Sequence, residues 1–476
     1  LATPVGSELI MNVFDTLVGW KAPEFKDLEG RLAQSWTISD DKTTYTFKLR
    51  SGVKFHDGTD FNADAVKKGF ERIKDVNSFM KAYFGGIKEI KAVDAGTVMI
   101  TLDKPNGVFL SYLAMPQATV GSPAAVDKYG KAINVNPVGT GPFMFESYTQ
   151  DTQTVLKANP NYFRGAPKIQ KIIYRVIPNA ATRRLELENG TVDIVQQNGQ
   201  LFSIPVNDIK ALKQNANVDV IELPSQIIRY IQFNNSKTDG PIADKRVRQA
   251  IATAIDYDGM VNDLLGGTAN KMYGPLTDNS WGWNPAMKDA APKRDVAKAK
   301  ALLKEAGYGE GGKSLELTLY TFTGQSWKDL GTFIQANLAD IGVTAKIEQL
   351  DFSSALRPLH TEGKHDLAIG GRQPWYNDPE AHITIDYLST LGPTALTFRM
   401  AKDDALDKAI LDAQTEQDFA KRKQIYFDLQ TKILDKAPGA YLFNPKIIIY
   451  KRKNVQGLVV NSAPPLSEYW SVSKTK

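Results

Sequence analysis

Short runs of alternating polar and apolar residues are interleaved with longer amphipathic runs along the whole chain of 476 residues. Residues 44–49 (TYTFKL) show the two-residue period of a half-buried strand. Residues 295–307 (DVAKAKALLKEAG) show the 3.6-residue period of a helix, which Gly307 ends. Strands and helices that alternate in this way indicate an α/β fold. At about 150 residues per domain, the length predicts about three domain-sized units.

Composition excludes several classes of protein. The chain has no cysteine, which removes disulfides, thiolate metal sites and cysteine nucleophiles. The net charge of +5 is small for this length and includes no block of like charges, so we expect no nucleic-acid partner. No stretch approaches the roughly 20 apolar residues that span a bilayer. The chain begins at Leu1 rather than Met, and we expect that a signal peptide or lipid-anchor segment has been removed.

Common catalytic motifs are absent from the sequence. It contains no G-x-S-x-G and no H-E-x-x-H pattern. Gly307, Gly309 and Gly311 follow a helix rather than a strand, so they predict a loop and not a dinucleotide site. We therefore expect a protein that is not an enzyme, has no cofactor and releases its ligand unchanged.

Ten short motifs follow one another over nearly the whole chain. They are LAQSW at 32–36, TYTFKLR at 44–50, VKFHDG at 53–58, FNADAV at 61–66, GTGPF at 139–143, NPNYF at 159–163, ENGTVD at 188–193, RVRQAI at 246–251, AKAKALLKEAGY at 297–308 and NDP at 377–379. In this order they resemble the family 5 extracellular solute-binding proteins of ABC importers, the large three-domain class for peptides, nickel and opines. The resemblance implies a two-lobed periplasmic-binding-protein type II fold with an extra α/β domain inserted in the N-terminal lobe.

The resemblance also implies a division of the chain into domains. Lobe I is expected to be discontinuous, and lobe II and the extra domain continuous. Hinge closure of the lobes around a ligand is the expected motion. The predicted ranges are 1–20, 138–240 and 446–476 for lobe I, 21–137 for the extra domain, 241–445 for lobe II, and 235–241 and 443–447 for the hinges.

The sequence departs from family members that bind dipeptides. In those relatives an Asp three residues before the Asp-Pro pair holds the peptide ammonium, and here that position is Trp375. They also carry an Arg after the strand that precedes the long helix, where this chain has 320–324 (YTFTG), without a charge. A buried terminal charge without a partner is costly, so ordinary short peptides are not the expected ligands.

The sequence also departs from nickel-binding relatives, which use a His and two Arg residues. Residues 114–118 (AMPQA) lack the arginines found there in nickel binders. The four histidines are predicted to have surface or capping roles, and whether His382 lines the cleft is left open. They are His56, His360, His365 and His382.

Aromatic and amide side chains make up the predicted ligand site. Trp375, Tyr376 and Asn377 should lie between the lobes, with Arg372 available for a bidentate grip on one carboxylate. For Trp281 and Trp283, packing or a contact at the lobe edge is the alternative. The full predicted set is Trp375, Tyr376, Asn377, Arg372, Gln373, Trp281, Trp283, Asn234 and Gln117. Such groups suit a polar organic solute, an opine-like amino-acid conjugate or a sugar derivative; a short peptide with an atypical site and a metal chelate are the alternatives.

The partners follow from the resemblance. We expect a monomer, periplasmic or lipid-anchored on the outer face of the cytoplasmic membrane, that delivers a small-molecule solute to a membrane permease. A chemoreceptor-linked or chaperone-like module that shares the fold is a further alternative.

Overall fold

The computed structural model describes residues 4–22, 27–76, 80–197, 204–351, 354, 359, 362–394, 398, 400–463 and 466–475. The chain begins with a helix and a strand in the predicted lobe I range 1–20, followed by the elements of the predicted extra domain. They are α1 (Pro4–Val13), β1 (Val18–Trp20), β2 (Leu28–Gly30), β3 (Ala33–Ile38), β4 (Thr44–Leu49), α2 (Ala63–Val76), α3 (Lys81–Phe84), β5 (Ile87–Asp94), β6 (Thr97–Leu102), α4 (Phe109–Leu113) and α5 (Pro123–Tyr129), with 3-10 turns at Pro116–Ala118 and Gly130–Val135.

A four-stranded antiparallel sheet in the order β3-β4-β6-β5 organises this first part. Tyr45, Phe47 and Leu49 on β4 are buried and alternate with more exposed neighbours, as the two-residue period of the sequence predicts. Asn62 caps α2, accepting a hydrogen bond from the backbone N–H of Ala65 at 3.0 Å. The core of this domain therefore lies between the sheet and the helices that follow it.

The next part of the chain forms two small antiparallel sheets. The three strands β7-β8-β9 are neighbours in sequence, whereas the sheet β10-β18-β11 takes its central strand from the end of the chain. This sheet therefore joins the middle of the chain to its tail, as the predicted discontinuous lobe I requires. Its elements are β7 (Phe143–Thr149), β8 (Gln153–Ala158), β9 (Lys171–Arg175), α6 (Ala180–Asn189), β10 (Ile194–Gln197), α7 (Val206–Gln214) and β11 (Val218–Leu223).

Lobe II is built on a six-stranded mixed sheet in the order β13-β17-β12-β16-β14-β15. Apolar helix faces cover both sides of it, which buries its central strands. Its elements are β12 (Ile228–Phe233), α8 (Lys245–Ala254), α9 (Tyr257–Gly259), a π-helical turn (Met260–Leu264), β13 (Ala269–Lys271), α10 (Met287–Ala290), α11 (Val296–Glu305), β14 (Leu315–Phe322), α12 (Gln325–Ala339), β15 (Val343–Leu350), β16 (Leu367–Arg372), α13 (Glu380–Tyr387), α14 (Asp404–Thr415), α15 (Phe419–Lys436) and β17 (Gly439–Pro445), with 3-10 turns at Pro241–Ala243 and Ser389–Thr394.

The chain then returns to lobe I through its tail. Strand β18 pairs with both β10 and β11, and the last strands form two short pairs, β19-β22 and β20-β21. These elements are β18 (Ile447–Arg452), β19 (Val455–Gln456), β20 (Val459–Val460), β21 (Ser467–Glu468) and β22 (Ser473–Lys474).

The two sheets of the lobes show where the chain passes between them. Strand β11 belongs to the lobe I sheet and β12 to the lobe II sheet, so the first passage is residues 224–227, which we call the crossing segment. The second passage is at Lys446, between β17 and β18, inside the predicted range 443–447. The predicted hinge at 235–241 is misplaced, because Asn235 donates hydrogen bonds to the carbonyl oxygens of Phe233 and Pro438 (both 2.9 Å) within lobe II. Lobe II thus begins near residue 228, and the rest of the domain division stays a prediction.

Candidate functional site

The segment between β16 and α13, residues 373–379, faces the extra domain, and we call it the 373–379 loop. Buried Asp378 fixes its shape, accepting hydrogen bonds at 2.7 Å from both terminal nitrogens of Arg422 on α15. The same carboxylate accepts the backbone N–H of Glu380 at 2.9 Å. Burial alone would lower the pKa of Arg422, but the Asp378 carboxylate raises it above its usual range. The ion pair thereby holds the loop in one conformation.

Tyr376 on this loop connects lobe II to the extra domain. Its ring is fully buried and packs edge-on against Tyr83 at 5.9 Å and Tyr112 at 5.3 Å between ring centroids. Its hydroxyl donates to the buried carboxylate of Glu380. The ring surfaces that the sequence analysis assigned to a ligand are therefore occupied by contacts between domains.

Trp375 is partly buried and packs against the same hydrophobic core, whose members include Trp20 and Ala114. This contact places it against the first part of the chain, whereas its predicted position between the two lobes stays a prediction. Its contact with a ligand stays a prediction.

Asn377 contacts a residue that the sequence analysis missed. Gln226, in the crossing segment, donates from Nε2 to Asn377 Oδ1 at 2.6 Å and from its backbone N–H to the carbonyl oxygen of Ser462 at 3.4 Å. Its side chain is 2% exposed. The available sequence signal is Pro224, which ends β11 and marks a change of direction just before Gln226.

A cavity of about 20 Å³ lies beside this junction, and its lining includes Trp20, Ala114, Pro116 and Asn461. That volume admits a water molecule, whereas pockets for organic ligands measure roughly 300–1,000 Å³. All of its lining residues lie in the predicted ranges of lobe I and the extra domain, so this cavity is not a cleft between the two lobes.

Four buried polar atoms near this junction have no hydrogen-bond partner among the described residues. Two are donors, Trp20 Nε1 and Gln373 Nε2, and two are acceptors, Gln117 Oε1 and Gln226 Oε1. Gln117 follows Pro116 in the cavity lining, and Gln373 begins the 373–379 loop. The ring nitrogens of His382 and Asp386 Oδ2, both on α13, are further such atoms, and those on Trp283 and Tyr450 lie elsewhere. All four groups at the junction are uncharged, so they suit a ligand with neutral donors and acceptors.

Arg372 is placed differently from its predicted role. It is buried, and its Nε donates to Asp386 Oδ1 on α13 at 3.0 Å. Burial alone would lower the pKa of Arg372, but the Asp386 carboxylate raises it above the usual range. Its predicted grip on a ligand carboxylate would compete with this internal ion pair.

Trp281 and Trp283 lie on the helical side of lobe II. Trp281 packs against Phe419 at 4.9 Å and Tyr426 at 5.5 Å, with the guanidinium of Arg422 5.2 Å from its ring centroid. A Cβ on the intervening Gly282 would lie 2.5 Å from Cγ of Pro379. The backbone at Gly282 therefore packs directly against the end of the 373–379 loop. The packing alternative accounts for these contacts.

Asn234 lies at the far end of β12. Its amide donates to the carbonyl oxygens of Gly363 at 2.8 Å and His365 at 3.1 Å. At about 3.3 Å per strand residue, it is about 25 Å from Gln226, which precedes the same strand. The structure therefore does not bring Asn234 to the other predicted site residues.

The histidines do not form a metal centre among the described residues. His56 Nδ1 accepts the backbone N–H of Gly139 at 3.3 Å and its Nε2 lies 2.9 Å from the carbonyl oxygen of Gly141, and burial lowers its pKa to about 4. His382 is fully buried, and burial lowers its pKa to about 3. His365 is also buried, and His360 lies outside the described residues. Within the described ranges, no group of three or more His, Asp or Glu residues could hold a metal ion.

Within the part of the chain that the structure describes, no helix is both long and apolar enough to cross a bilayer.

Known proteins match this chain over most of its length. The model of the bacterial extracellular solute-binding proteins, family 5 Middle, matches residues 27–391. The chain is 32% identical over 453 residues to the probable D,D-dipeptide-binding periplasmic protein DdpA of Escherichia coli K12, covering 94% of this chain and 84% of that protein. It is 32% identical over 450 residues to the glutathione-binding protein GsiB of the same strain, covering 90% and 83%.

A solved structure gives the same result for the fold. The ABC transporter-associated periplasmic binding protein DppA of Helicobacter pylori, in complex with the peptide STSA, has a TM-score of 0.84 at 29% identity, covering 98% of this chain and 93% of that chain. The family model matches more than half of the chain, and the relatives exceed 30% identity over nearly all of it. The chain belongs to the family 5 bacterial extracellular solute-binding proteins, which serve ABC importers.

Proposed function

We propose that this chain captures a short peptide or a peptide-like amino-acid conjugate outside the cytoplasmic membrane and delivers it to the permease of an ABC importer. The observation that carries the proposal is the set of four buried, uncharged polar atoms at the junction of the lobes. Two donors and two acceptors are what successive peptide groups need, because each presents one C=O and one N–H. Leaving such atoms buried without partners costs about 1–3 kcal/mol each, which a bound solute would recover.

The names of the relatives support a peptide-like solute. One is described as a probable D,D-dipeptide-binding protein, another as glutathione-binding, and a solved relative holds a tetrapeptide. The opine-like conjugate expected from the sequence belongs to the proposed class if it carries an amide group. The sugar derivative and the metal chelate remain competing ligands for the test.

Transport would follow from closure of the lobes. A solute that contacts both lobes binds the closed form more tightly and shifts the population towards it. The closed form would then dock on the permease as a periplasmic or lipid-anchored monomer. The chain would perform no chemistry on its solute, so the solute should be recovered unchanged.

Native mass spectrometry of the purified protein, followed by denaturation and identification of released compounds, tests the proposal. A thermal-shift screen of the emptied protein should then compare D-alanyl-D-alanine, glutathione and the peptide Ser-Thr-Ser-Ala with opines, glycosides and a nickel–histidine chelate. We expect stabilisation by amide-bearing compounds. Stabilisation by glycosides or the chelate alone would overturn the proposal.

A further inference from the structure

Gln226 occupies a special position in the chain. It lies in the crossing segment, between the last strand of the lobe I sheet and the first of the lobe II sheet. Its backbone N–H binds Ser462 in the tail of lobe I, and its side chain binds Asn377 in lobe II. One residue is therefore bonded to both lobes at once.

The position of Gln226 is held by the second passage between the lobes. Asn444 Nδ2 donates to the carbonyl oxygens of Ser225 at 3.0 Å and Ile227 at 2.6 Å, on either side of Gln226. The Ser225 hydroxyl donates to the carbonyl oxygen of Pro445. The backbone of Gln226 is thus fixed by two neighbours that are both bonded to the other passage.

The bond to Asn377 also determines which atom of the Gln226 amide remains available. Because Nε2 donates to Asn377, the remaining group is the carbonyl oxygen Oε1, which can only accept. This atom is buried and has no hydrogen-bond partner among the residues that the structure describes. A bound group that complements it must present a donor.

Two buried groups around Gln226 indicate the charge of that donor. The imidazole of His382 lies beside the backbone of Gln226, and burial keeps it neutral. The guanidinium of Arg372 lies close enough to His382 to disfavour a second positive charge there. An uncharged N–H fits these surroundings better than an ammonium group.

We infer that Gln226 Oε1 accepts a hydrogen bond from an amide N–H of the bound solute, and that this bond links recognition of the solute to closure of the lobes. The inference rests on the proposed function, since it requires a solute with an amide N–H. The link to closure follows because Gln226 is bonded to Asn377 of lobe II, next to the paired residues Ile228 and Arg372, and also to Ser462 in the tail of lobe I. A solute that binds there stabilises the closed form.

The test compares wild-type protein with Gln226→Met, which keeps the side-chain length and removes the acceptor. The probe is whichever of D-alanyl-D-alanine, glutathione or Ser-Thr-Ser-Ala wild-type protein binds most tightly by isothermal titration calorimetry. We expect at least tenfold weaker binding and loss of the probe-induced compaction seen by small-angle X-ray scattering. The matched control is Gln335→Met, which loses one hydrogen bond to the carbonyl oxygen of Ala345 within lobe II and should bind within twofold of wild type.

A change in the probe gives a second measurement that needs no variant to fold. N-methylation of each amide of the probe in turn removes one donor at a time. At one position it should weaken binding to wild-type protein tenfold or more and leave binding to Gln226→Met unchanged. Equal losses at every position in both proteins, or unchanged affinity of Gln226→Met, would overturn the role of Gln226 alone. No binding of any peptide probe by wild-type protein would overturn the proposed function, and this inference with it.

Discussion

The two sides of the 373–379 loop differ in how their polar groups are satisfied. On one side Asp378, Glu380 and Arg422 are charged or ionisable groups in a closed network of short contacts. On the other, Gln226 and Gln373 are neutral amides, each with one buried atom that no described residue satisfies. A saturated network holds a loop in place, whereas incompletely satisfied groups at a domain junction suit a partner that is not part of the chain. We therefore expect the loop to be rigid on one side and receptive to the solute on the other.

The largest expected effect comes from breaking the saturated side. Arg422→Leu would leave Asp378 buried without its cation, and we expect a loss of about 3–5 kcal/mol in the free energy of unfolding. Urea unfolding measures it. Lys408→Leu, which breaks the exposed pair with Asp412, is the control and should cost about 0.5 kcal/mol or less. If Arg422→Leu costs no more than the control, the network does not hold the loop.

The pH dependence of the free energy of unfolding tests the saturated side of the loop through the carboxyl group of Glu380. Burial raises the pKa of Glu380 above its usual 4.5, although the hydrogen bond from Tyr376 opposes the shift. The folded form therefore holds its proton more tightly than the unfolded form, so this stabilisation is complete below pH 4.5 and is lost as pH rises through the raised pKa.

Comparison with Glu380→Gln isolates this contribution, because glutamine resembles the protonated acid and does not titrate. The stability of wild type relative to the variant should fall with rising pH by up to about 1.4 kcal/mol per pH unit. Urea unfolding from pH 4.5 to pH 8 measures the difference. A difference that stays constant over this range would show that Glu380 is ionised in the folded protein.

On the receptive side, Trp375→Ala should weaken solute binding at least tenfold, or about 1.4 kcal/mol, because the indole supplies contact area at the junction. Calorimetry with the most strongly stabilising compound of the screen measures it. Trp283→Ala is the control, since Trp283 packs within lobe II with Lys288 5.5 Å from its ring centroid. Unchanged affinity of Trp375→Ala, with intact thermal stability, would remove Trp375 from the site.

The smallest effect on stability is expected for Gln373→Leu. Its Nε2 satisfies no described group, so removing it should change the free energy of unfolding by no more than about 0.5 kcal/mol while weakening solute binding severalfold. Gln430→Leu provides the contrast, because Gln430 donates to the carbonyl oxygen of Gly282 at 2.8 Å and its loss should cost about 1–3 kcal/mol. Similar losses in the free energy of unfolding for Gln373→Leu and Gln430→Leu would show that the Gln373 amide is as fully satisfied within the protein as the Gln430 amide.

Local elements were predictable from the sequence because their signals are local. The strand predicted at 44–49 is β4, and the helix predicted over 295–307 is α11 (Val296–Glu305). Gly190 ends α6 with a φ of 80°, as its position after the helix predicts.

Features that depend on distant residues were not predictable in the same way. The predicted lobe I range 138–240 includes β12, but its partners β16 and β17 lie more than a hundred residues further on and place it in the lobe II sheet. The ion pair between Arg372 and Asp386 was not predicted, because nothing in the sequence marks Asp386 as the partner of Arg372. Gln226 was missed because a single glutamine after a proline carries no periodic signal, and its importance comes from Ser462 and Asn377.

The bonds between the two passages constrain how the lobes can move. Ser225 in the crossing segment is bonded to Asn444 and Pro445 at the end of β17, so we expect the two passages to act as one hinge rather than as two independent linkers. Such a hinge would permit rotation about one axis and resist sliding or sideways bending. We therefore expect a single angular coordinate to describe the whole cycle of capture and release, and the permease need sense only that angle to distinguish a loaded molecule from an empty one.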